Sequence, residues 1–424
     1  MSNTFLFLGI LLIFIVYTFV TKKDYSSPCI LFCSGFLISS LFLMINTNTW
    51  KYTISGKTIF IVLSSLIVFG IGSFLAGPVK FSFSQSHTFV PILSKQSKQK
   101  SIKTVLTTVA VICLLVRFLD LYLTIGSVNV FSGVLGVYRN LEDSSRLSSL
   151  ISFCTPAISA CVILMSVELV NKIRNKKKGI AFPIIIIILG LFYFALSSSR
   201  IEILYTFVYL IAYLLIVLKI NNKKLNAKTV VIILVLSALL FVSFFLAGYL
   251  TGKSQNQVSM FDNVSLYAGS SIGTFDSWIR TYKYDGRNFG ITIFRGLSNL
   301  LAWFKIKLPI SYDTNLGFRS IGEMVHTSNV YSCLAELIID VGYIGMLVIL
   351  FFEGFLLTKL YKVAIKKFNY GKTTLLYLYI YLVPLITFSS IAERIFRTFL
   401  TISTLVFIFV IWFLNRLQIN KRSK

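Results

Sequence analysis

Residues 229–250 read TVVIILVLSALLFVSFFLAGYL, a stretch without a charged side chain that follows Lys223, Lys224 and Lys228. A helix of about 20 apolar residues is long enough to span the hydrocarbon core of a bilayer. The stretch therefore predicts a transmembrane helix, and the lysines before it predict that this end faces the cytoplasm.

Similar apolar runs recur along the whole chain. Hydrophobic residues make up 56% of its 424 residues and charged residues only 13%, and the mean hydropathy is +0.82. An ordinary soluble protein has about 25% charged residues, so a soluble protein is excluded. The net charge of +26 would suggest a nucleic-acid partner on a soluble chain. Here the charges cluster between the apolar runs, so we expect no nucleic-acid partner.

We predict an all-α, polytopic membrane protein with about eleven transmembrane helices and one large periplasmic loop. Residues 1–250 hold helices 1–8, residues 251–330 form the loop, and residues 331–424 hold helices 9–11 and a cytoplasmic tail. Within the loop, apolar residues at helical spacing between 293 and 304 predict an interfacial helix that ends before Pro309. The predicted spans are 4–20, 28–46, 58–77, 104–125, 148–170, 180–197, 201–220, 229–250, 341–360, 373–391 and 398–414.

Positive charges orient the chain. Of the 41 Lys and Arg residues, 25 lie in alternate short linkers and the C-terminal tail, which predicts a cytoplasmic C-terminus and an N-terminus outside. The first apolar run has no positive residue before it and Lys22 and Lys23 after it. A cleavable signal peptide has the opposite order of charges, so we expect the run to be a retained span.

The two faces differ in the kind of positive residue that they carry. The cytoplasmic linkers are almost all lysine, whereas the outer segments hold nine arginines. Arginine presents a rigid fork that binds phosphate or carboxylate in two places, so the outer face is predicted to hold an anion. The alternative for any one of them is an arginine that snorkels at the interface. The outer arginines are Arg139, Arg146, Arg200, Arg280, Arg287, Arg295, Arg319, Arg394 and Arg397.

Two short constellations are candidate substrate contacts. Arg117 and Asp120 lie three residues apart in the fourth span, either as a substrate contact that faces a cavity or as a structural charge pair. Ser199 and Glu202 have the spacing of a capping box, which would start a helix beside Arg200. A helix N-terminus next to an arginine can bind an anion; the alternative is a simple cap.

His326 ends the long loop and is a candidate general base, because histidine exchanges protons near neutral pH. The alternative is an ordinary polar loop residue, and Asp313, Glu323 or Glu336 could serve as the base instead. The chain has two histidines, and its six cysteines lie in or beside apolar segments. We therefore expect no metal site, no disulfide framework and no cofactor.

The order of four short motifs resembles that of Wzy-type oligosaccharide repeat unit (O-antigen) polymerases. The motifs are Asp24-Tyr25-Ser26-Ser27-Pro28, Ser199-Arg200-x-Glu202-x-Leu204, His326-x-x-Asn329-x-Tyr331 and Asp340-x-Gly342-x-x-Gly345. The last two are similar to the His-Asn-x-Tyr and Gly-x-x-Gly region of the related O-antigen ligases.

The resemblance implies a metal-independent glycosyltransferase of the GT-C type in the bacterial inner membrane. Such an enzyme moves a growing glycan from undecaprenyl diphosphate onto an incoming lipid-linked repeat unit at the periplasmic face. A flippase and a chain-length regulator are the implied protein partners.

The same resemblance implies roles for individual residues. Arg200 would hold the diphosphate and His326 would be the general base. The other expected substrate or diphosphate contacts are Arg117, Arg280, Arg287, Arg319, Glu202, Asn329 and Tyr331.

Two other functions remain open at this stage. An O-antigen ligase would share the topology and the His-Asn region. A flippase or another transporter of lipid-linked oligosaccharides would suit the length and the charge at Arg117, but it should have more evenly sized loops.

Overall fold

The structure is a computed structural model, and the part of the chain that it describes is mostly helical. The described residues are 1–77, 96–126, 137–138, 147–197, 200–221, 226–250, 260–286, 288–306, 316–322, 327–369, 373–399 and 401–419.

The first nine helices in chain order are α1 Ser2–Val20, α2 Pro28–Ile45, α3 Thr47–Trp50, α4 Gly56–Leu75, α5 Gln96–Ile125, α6 Ser148–Arg174, α7 Ala181–Leu196, α8 Arg200–Ile220 and α9 Ala227–Leu250. The later helices are α10 Met260–Ile279, α11 Arg295–Trp303, α12 Cys333–Asn369, α13 Thr374–Thr387, α14 Ile395–Phe399 and α15 Ile402–Ile419. A 3₁₀ turn, Phe388–Ser390, follows α13, and two short strands, β1 Arg319–Ser320 and β2 Thr327–Ser328, pair antiparallel.

Every predicted span overlaps one of these helices. Within the described residues, α1, α2, α4, α5, α6, α8 and α12 are long and apolar enough to cross a membrane. The described apolar parts of α7, α9, α13 and α15 are shorter than 18 residues. The structure therefore confirms a multi-pass helical membrane protein, while the count of eleven spans stays a prediction.

Helix α12 begins at Cys333, earlier than the predicted start at residue 341, and it is interrupted at Gly342. Gly342 has φ 72° and ψ 179°, a conformation that is essentially restricted to glycine. Hydropathy misses the segment before Gly342 because it contains Glu336 and Asp340. Both side chains are buried through polar contacts inside the protein rather than exposed to water.

Helix α10 lies inside the segment predicted as a loop and was not predicted. Its central residues are glycine and serine, which carry no apolar period, yet they allow a close approach to α2. A methyl group added at Gly269 would lie 2.9 Å from the backbone nitrogen of Leu43. The predicted helix between 293 and 304 is present as α11, whereas Pro309 lies outside the described residues.

The chain forms two compact modules that interleave in sequence. Module 1 comprises Met1–Lys80, Ser259–Ile365 and Leu382–Thr401, and module 2 comprises Phe81–Val258, Lys366–Tyr381 and Ile402–Lys424.

In module 1, α4 and α12 pack through paired glycines. Gly72 faces the carbonyl oxygen of Phe351, and Gly354 faces the carbonyl oxygen of Phe69. A methyl group at either glycine would come within about 2.1 Å of that oxygen, so neither position has room for a side chain. Contact between two backbones is typical of membrane helix packing through small residues.

In module 2, α6 packs against α5, α7, α8 and α15. Two contacts of its buried polar residues lie within the module: Lys172 Nζ lies 3.5 Å from Glu168 Oε1, and Tyr213 donates to Asn171 Oδ1 over 3.0 Å. Buried polar groups are costly unless they find such partners, so these contacts orient α6 and α8.

Candidate functional site

Glu336 and Arg397 form an ion pair within module 1. Glu336 belongs to the first part of α12 and Arg397 to α14, and Arg397 Nη2 donates to Glu336 Oε2 over 2.6 Å. The side chain of Glu336 is 8% exposed and that of Arg397 is 25% exposed. Charge-assisted hydrogen bonds of this length are among the stronger side-chain contacts, so the pair joins α12 to α14.

Two further arginines, Arg295 and Arg394, interact electrostatically with this ion pair. Arg295 is the first residue of α11, which packs against α14. Burial lowers the pKa of Arg295, and the charges of Arg397 and Arg394 lower it further, while Glu336 and Glu393 oppose them. Several positive charges therefore share one place, where a bound anion would relieve their repulsion.

Glu393 completes this group, and we call Arg295, Glu336, Glu393, Arg394 and Arg397 the arginine–glutamate cluster. Glu393 Oε1 accepts a hydrogen bond from the backbone N–H of Phe396 over 2.9 Å. Its Oε2 atom is buried and has no hydrogen-bond partner among the described residues. Burial raises the pKa of Glu393 to about 7, and the nearby Glu336 carboxylate contributes to the rise. Glu393 can therefore gain and lose a proton near neutral pH.

Arg280, a predicted diphosphate contact, is held by Asp276 in α10. Arg280 Nε and Nη2 donate to Asp276 Oδ2 over 2.8 and 2.7 Å, and Nη2 also donates to the carbonyl oxygen of Thr53 over 2.8 Å. The Arg280 side chain is 47% exposed, so a ligand can reach it at the protein surface. Its orientation is set by Asp276 rather than by the arginine–glutamate cluster.

Asp276 also ties α10 to the beginning of α4. Its carboxylate accepts hydrogen bonds from Tyr52 Oη over 2.6 Å, from Ser55 N and Oγ over 2.8 and 2.6 Å, and from Thr58 Oγ1 over 2.7 Å. Burial alone would raise the pKa of Asp276, but the hydrogen bonds from Ser55, Tyr52 and Thr58 outweigh it and lower the pKa. Asp276 therefore stays ionised, and no motif in the sequence indicates its role.

Arg319, Asn329 and Tyr331 lie in or beside the β1–β2 hairpin of module 1. Arg319 Nη1 donates to the carbonyl oxygen of Ser277 over 3.4 Å, which places the hairpin against α10. Tyr331 Oη donates to the carbonyl oxygen of Leu316 over 3.1 Å, and burial raises the pKa of Tyr331. Asn329 is exposed. The hairpin therefore brings these predicted contacts together.

Arg117 in module 2 is 2% exposed and is enclosed by aromatic rings. Its guanidinium lies 5.3 Å from the ring centroid of Tyr138 and 5.8 Å from that of Tyr193, and Nη1 donates to Tyr138 Oη over 3.0 Å. Tyr138 in turn donates to the Asp120 carboxylate. This geometry suits the structural alternative for Arg117 and Asp120, and a substrate contact stays a prediction.

Arg200 is the first residue of α8, in module 2, and is half-buried. Ser197 Oγ donates to Glu202 Oε2 over 3.5 Å, a long contact across the start of the helix. The capping box predicted at Ser199 lies outside the described residues.

Comparison with known protein families shows to which family the chain belongs. A family model described as O-antigen polysaccharide polymerase Wzy matches residues 1–422. The chain belongs to this family. No curated protein and no solved structure matches it. The predicted function, polymerisation of O-antigen repeat units from lipid-linked glycans in a membrane, is thus confirmed at the level of the Wzy family.

Two site residues that the Wzy resemblance implied, His326 and Arg287, lie outside the described residues, as do Asp313 and Glu323. Their roles stay predictions. Arg295, Arg394 and Arg397 are among the predicted outer arginines and Glu336 is a predicted alternative base, whereas Glu393 was not predicted. The available signal was the charge density of Glu393-Arg394-x-x-Arg397 in a short turn between two spans.

Proposed function

We propose that the arginine–glutamate cluster is the active site at which the chain extends the glycan, with undecaprenyl diphosphate as leaving group and without a metal ion. Glu393 carries the proposal, because it is a buried carboxylate with a pKa of about 7 beside several arginines. A general base works best when its pKa lies near the operating pH. The guanidinium fork matches the oxygens of a diphosphate.

In the proposed reaction, Glu393 Oε2 takes the proton from a hydroxyl group of the acceptor sugar. The hydroxyl oxygen bonds to the anomeric carbon of the donor glycan, and the bond from that carbon to the diphosphate oxygen breaks. The electron pair leaves with undecaprenyl diphosphate, and Arg295, Arg394 and Arg397 neutralise its charge. Glu336 accepts the hydrogen bond from Arg397 and orients that arginine.

The residues predicted from the sequence remain candidates for other parts of the substrates. His326 is the alternative base. The candidates for contacts to the diphosphate, lipid or glycan are Arg117, Arg200, Glu202, Arg280, Arg287, Arg319, Asn329 and Tyr331.

We also propose that the chain is a GT-C-type protein of the bacterial inner membrane, with eleven spans, a periplasmic N-terminus and a cytoplasmic C-terminus. In this topology, the segment 251–330 and the turn that contains Glu393 both face the periplasm. The cluster would then meet repeat units delivered by a flippase, in reach of a chain-length regulator.

The base assignment is tested by polymerisation of synthetic undecaprenyl-diphosphate-linked repeat units with purified variants. Glu393→Gln should lower the rate by about 10²- to 10⁴-fold, the usual contribution of a positioned base. Glu336→Gln should also lower the rate, since it removes the negative charge that orients Arg397, whereas His326→Ala should keep most activity.

Glu168→Gln in module 2 is the matched control, because it also removes a buried carboxylate next to a cation. Its rate should stay near that of the wild type at equal protein concentration. A nearly inactive His326→Ala together with an active Glu393→Gln would assign the base to the histidine and reject the cluster as its source.

A further inference from the structure

Asp340 is a fully buried carboxylate of α12 that binds the backbone of the turn before α11. It accepts hydrogen bonds from three backbone N–H groups of this turn: from Gly290, from Thr292 over 3.2 Å and from Ile293 over 2.9 Å. A carboxylate with several backbone donors is fixed in place, and it fixes the backbone that donates to it.

A second contact connects the same turn to the cluster. Thr292 Oγ1 donates to the backbone carbonyl oxygen of Glu336 over 3.2 Å. Glu336 and Asp340 are four residues apart, so they lie on one face of the helix. One helical turn of α12 therefore binds the backbone at 290–293 and, through the Glu336 side chain, Arg397.

Arg295 follows this turn directly, at the beginning of α11. The charges of Arg397 and Arg394 act on it unfavourably, and those of Glu336 and Glu393 act on it favourably, so its placement among them matters. The hydrogen bonds to Asp340 end two residues before Arg295 and fix the backbone from which its side chain extends.

We propose that Asp340 is a positioning residue, which holds the turn 290–293 so that Arg295 is oriented for the diphosphate before the substrate binds. This inference rests on the proposed function of the arginine–glutamate cluster. A preorganised charge costs little reorganisation during the reaction, so its loss lowers catalytic efficiency without removal of a substrate contact.

A double-mutant cycle tests the proposal, with kcat/KM for a synthetic undecaprenyl-diphosphate-linked repeat unit as the measurement. Asp340→Asn keeps the side-chain size but turns an amide group toward backbone donors. We expect about a tenfold loss in kcat/KM from Asp340→Asn and a similar or larger loss from Arg295→Ala. The double variant should lose no more than Arg295→Ala alone, because Asp340 acts through Arg295.

The matched control is the cycle of Asp340→Asn with Arg280→Ala. Arg280 is held by Asp276, so the two effects should multiply. A general weakening of the fold by Asp340→Asn would give multiplied effects in both cycles, and that result would overturn the proposal.

The two levels of inference fail in different ways. If Arg295→Ala alone leaves kcat/KM unchanged, the proposed site is wrong and the role of Asp340 falls with it. If Arg295→Ala is impaired but its cycle with Asp340→Asn is multiplicative, only the role of Asp340 is wrong. If Asp340→Asn does not fold, Thr292→Val replaces it, because it removes one hydrogen bond from the same turn. Its cycles with Arg295→Ala and Arg280→Ala are then read in the same way.

Discussion

At the scale of single residues, the site depends on a difference between two neighbouring glutamates. Glu336 accepts a hydrogen bond from the guanidinium of Arg397, whereas Glu393 accepts one backbone N–H and has a second oxygen without a partner among the described residues. The carboxylate that already holds an arginine is suited to orient it, and the carboxylate with an unused oxygen is suited to accept a proton.

The pH dependence of polymerisation should report Glu393. Since only the deprotonated carboxylate can accept a proton, and its pKa is about 7, kcat/KM should fall about tenfold per unit below pH 7 and level off above it. The residual kcat/KM of Glu393→Gln should not fall below pH 7 in this way, whereas that of His326→Ala should still fall. The reverse pattern would assign the titration to His326.

At the scale of elements, the break at Gly342 separates the short segment that bears Glu336 and Asp340 from the rest of α12. A methyl group at Gly342 would lie 3.2 Å from Tyr284 Cδ1, and the backbone there has a conformation that costs about 1–3 kcal/mol for other residues. Gly342→Ala should therefore lower the midpoint of thermal unfolding and the rate of polymerisation.

Gly56→Ala is the control for Gly342→Ala, because no atom lies within 4 Å of a methyl group at Gly56. We expect its unfolding midpoint to equal or slightly exceed that of the wild type. Equal midpoints for the two alanine variants would show that the break at Gly342 does not depend on glycine.

The helices differ in how far the sequence predicts them. The long apolar helices are predictable because hydropathy alone decides whether a segment of 20 residues stays in a membrane. Helix α10 is not, since its glycines and serines are buried by close contact with α2 rather than by their own hydrophobicity. The start of α12 is missed for a related reason: Glu336 is buried through a partner 61 residues away in sequence.

At the scale of the whole molecule, the candidate site combines segments near residues 295, 336 and 393, all within module 1. Motifs identify local groups such as Arg200 with Glu202, but a single sequence does not state which distant charges meet. Sequence reasoning therefore reached the membrane class, the family resemblance and the importance of the outer arginines. It did not reach their grouping around Glu393.

The topology of the whole chain is testable with reporter fusions after residues 100, 175, 225 and 290. The lysine-rich linkers predict that the first three read as cytoplasmic and the fourth as external. An external signal at 175 would overturn the proposed orientation of the chain.

The most direct test is a cryo-EM structure of the purified protein in a lipid nanodisc with undecaprenyl diphosphate bound. We predict phosphate oxygens within about 3 Å of guanidinium nitrogens of Arg295, Arg394 and Arg397, with Glu393 facing the side that the acceptor must approach. A diphosphate bound instead at Arg117 or Arg200 in module 2, with the Glu336–Arg397 pair intact and the cluster unoccupied, would contradict the assignment of the active site.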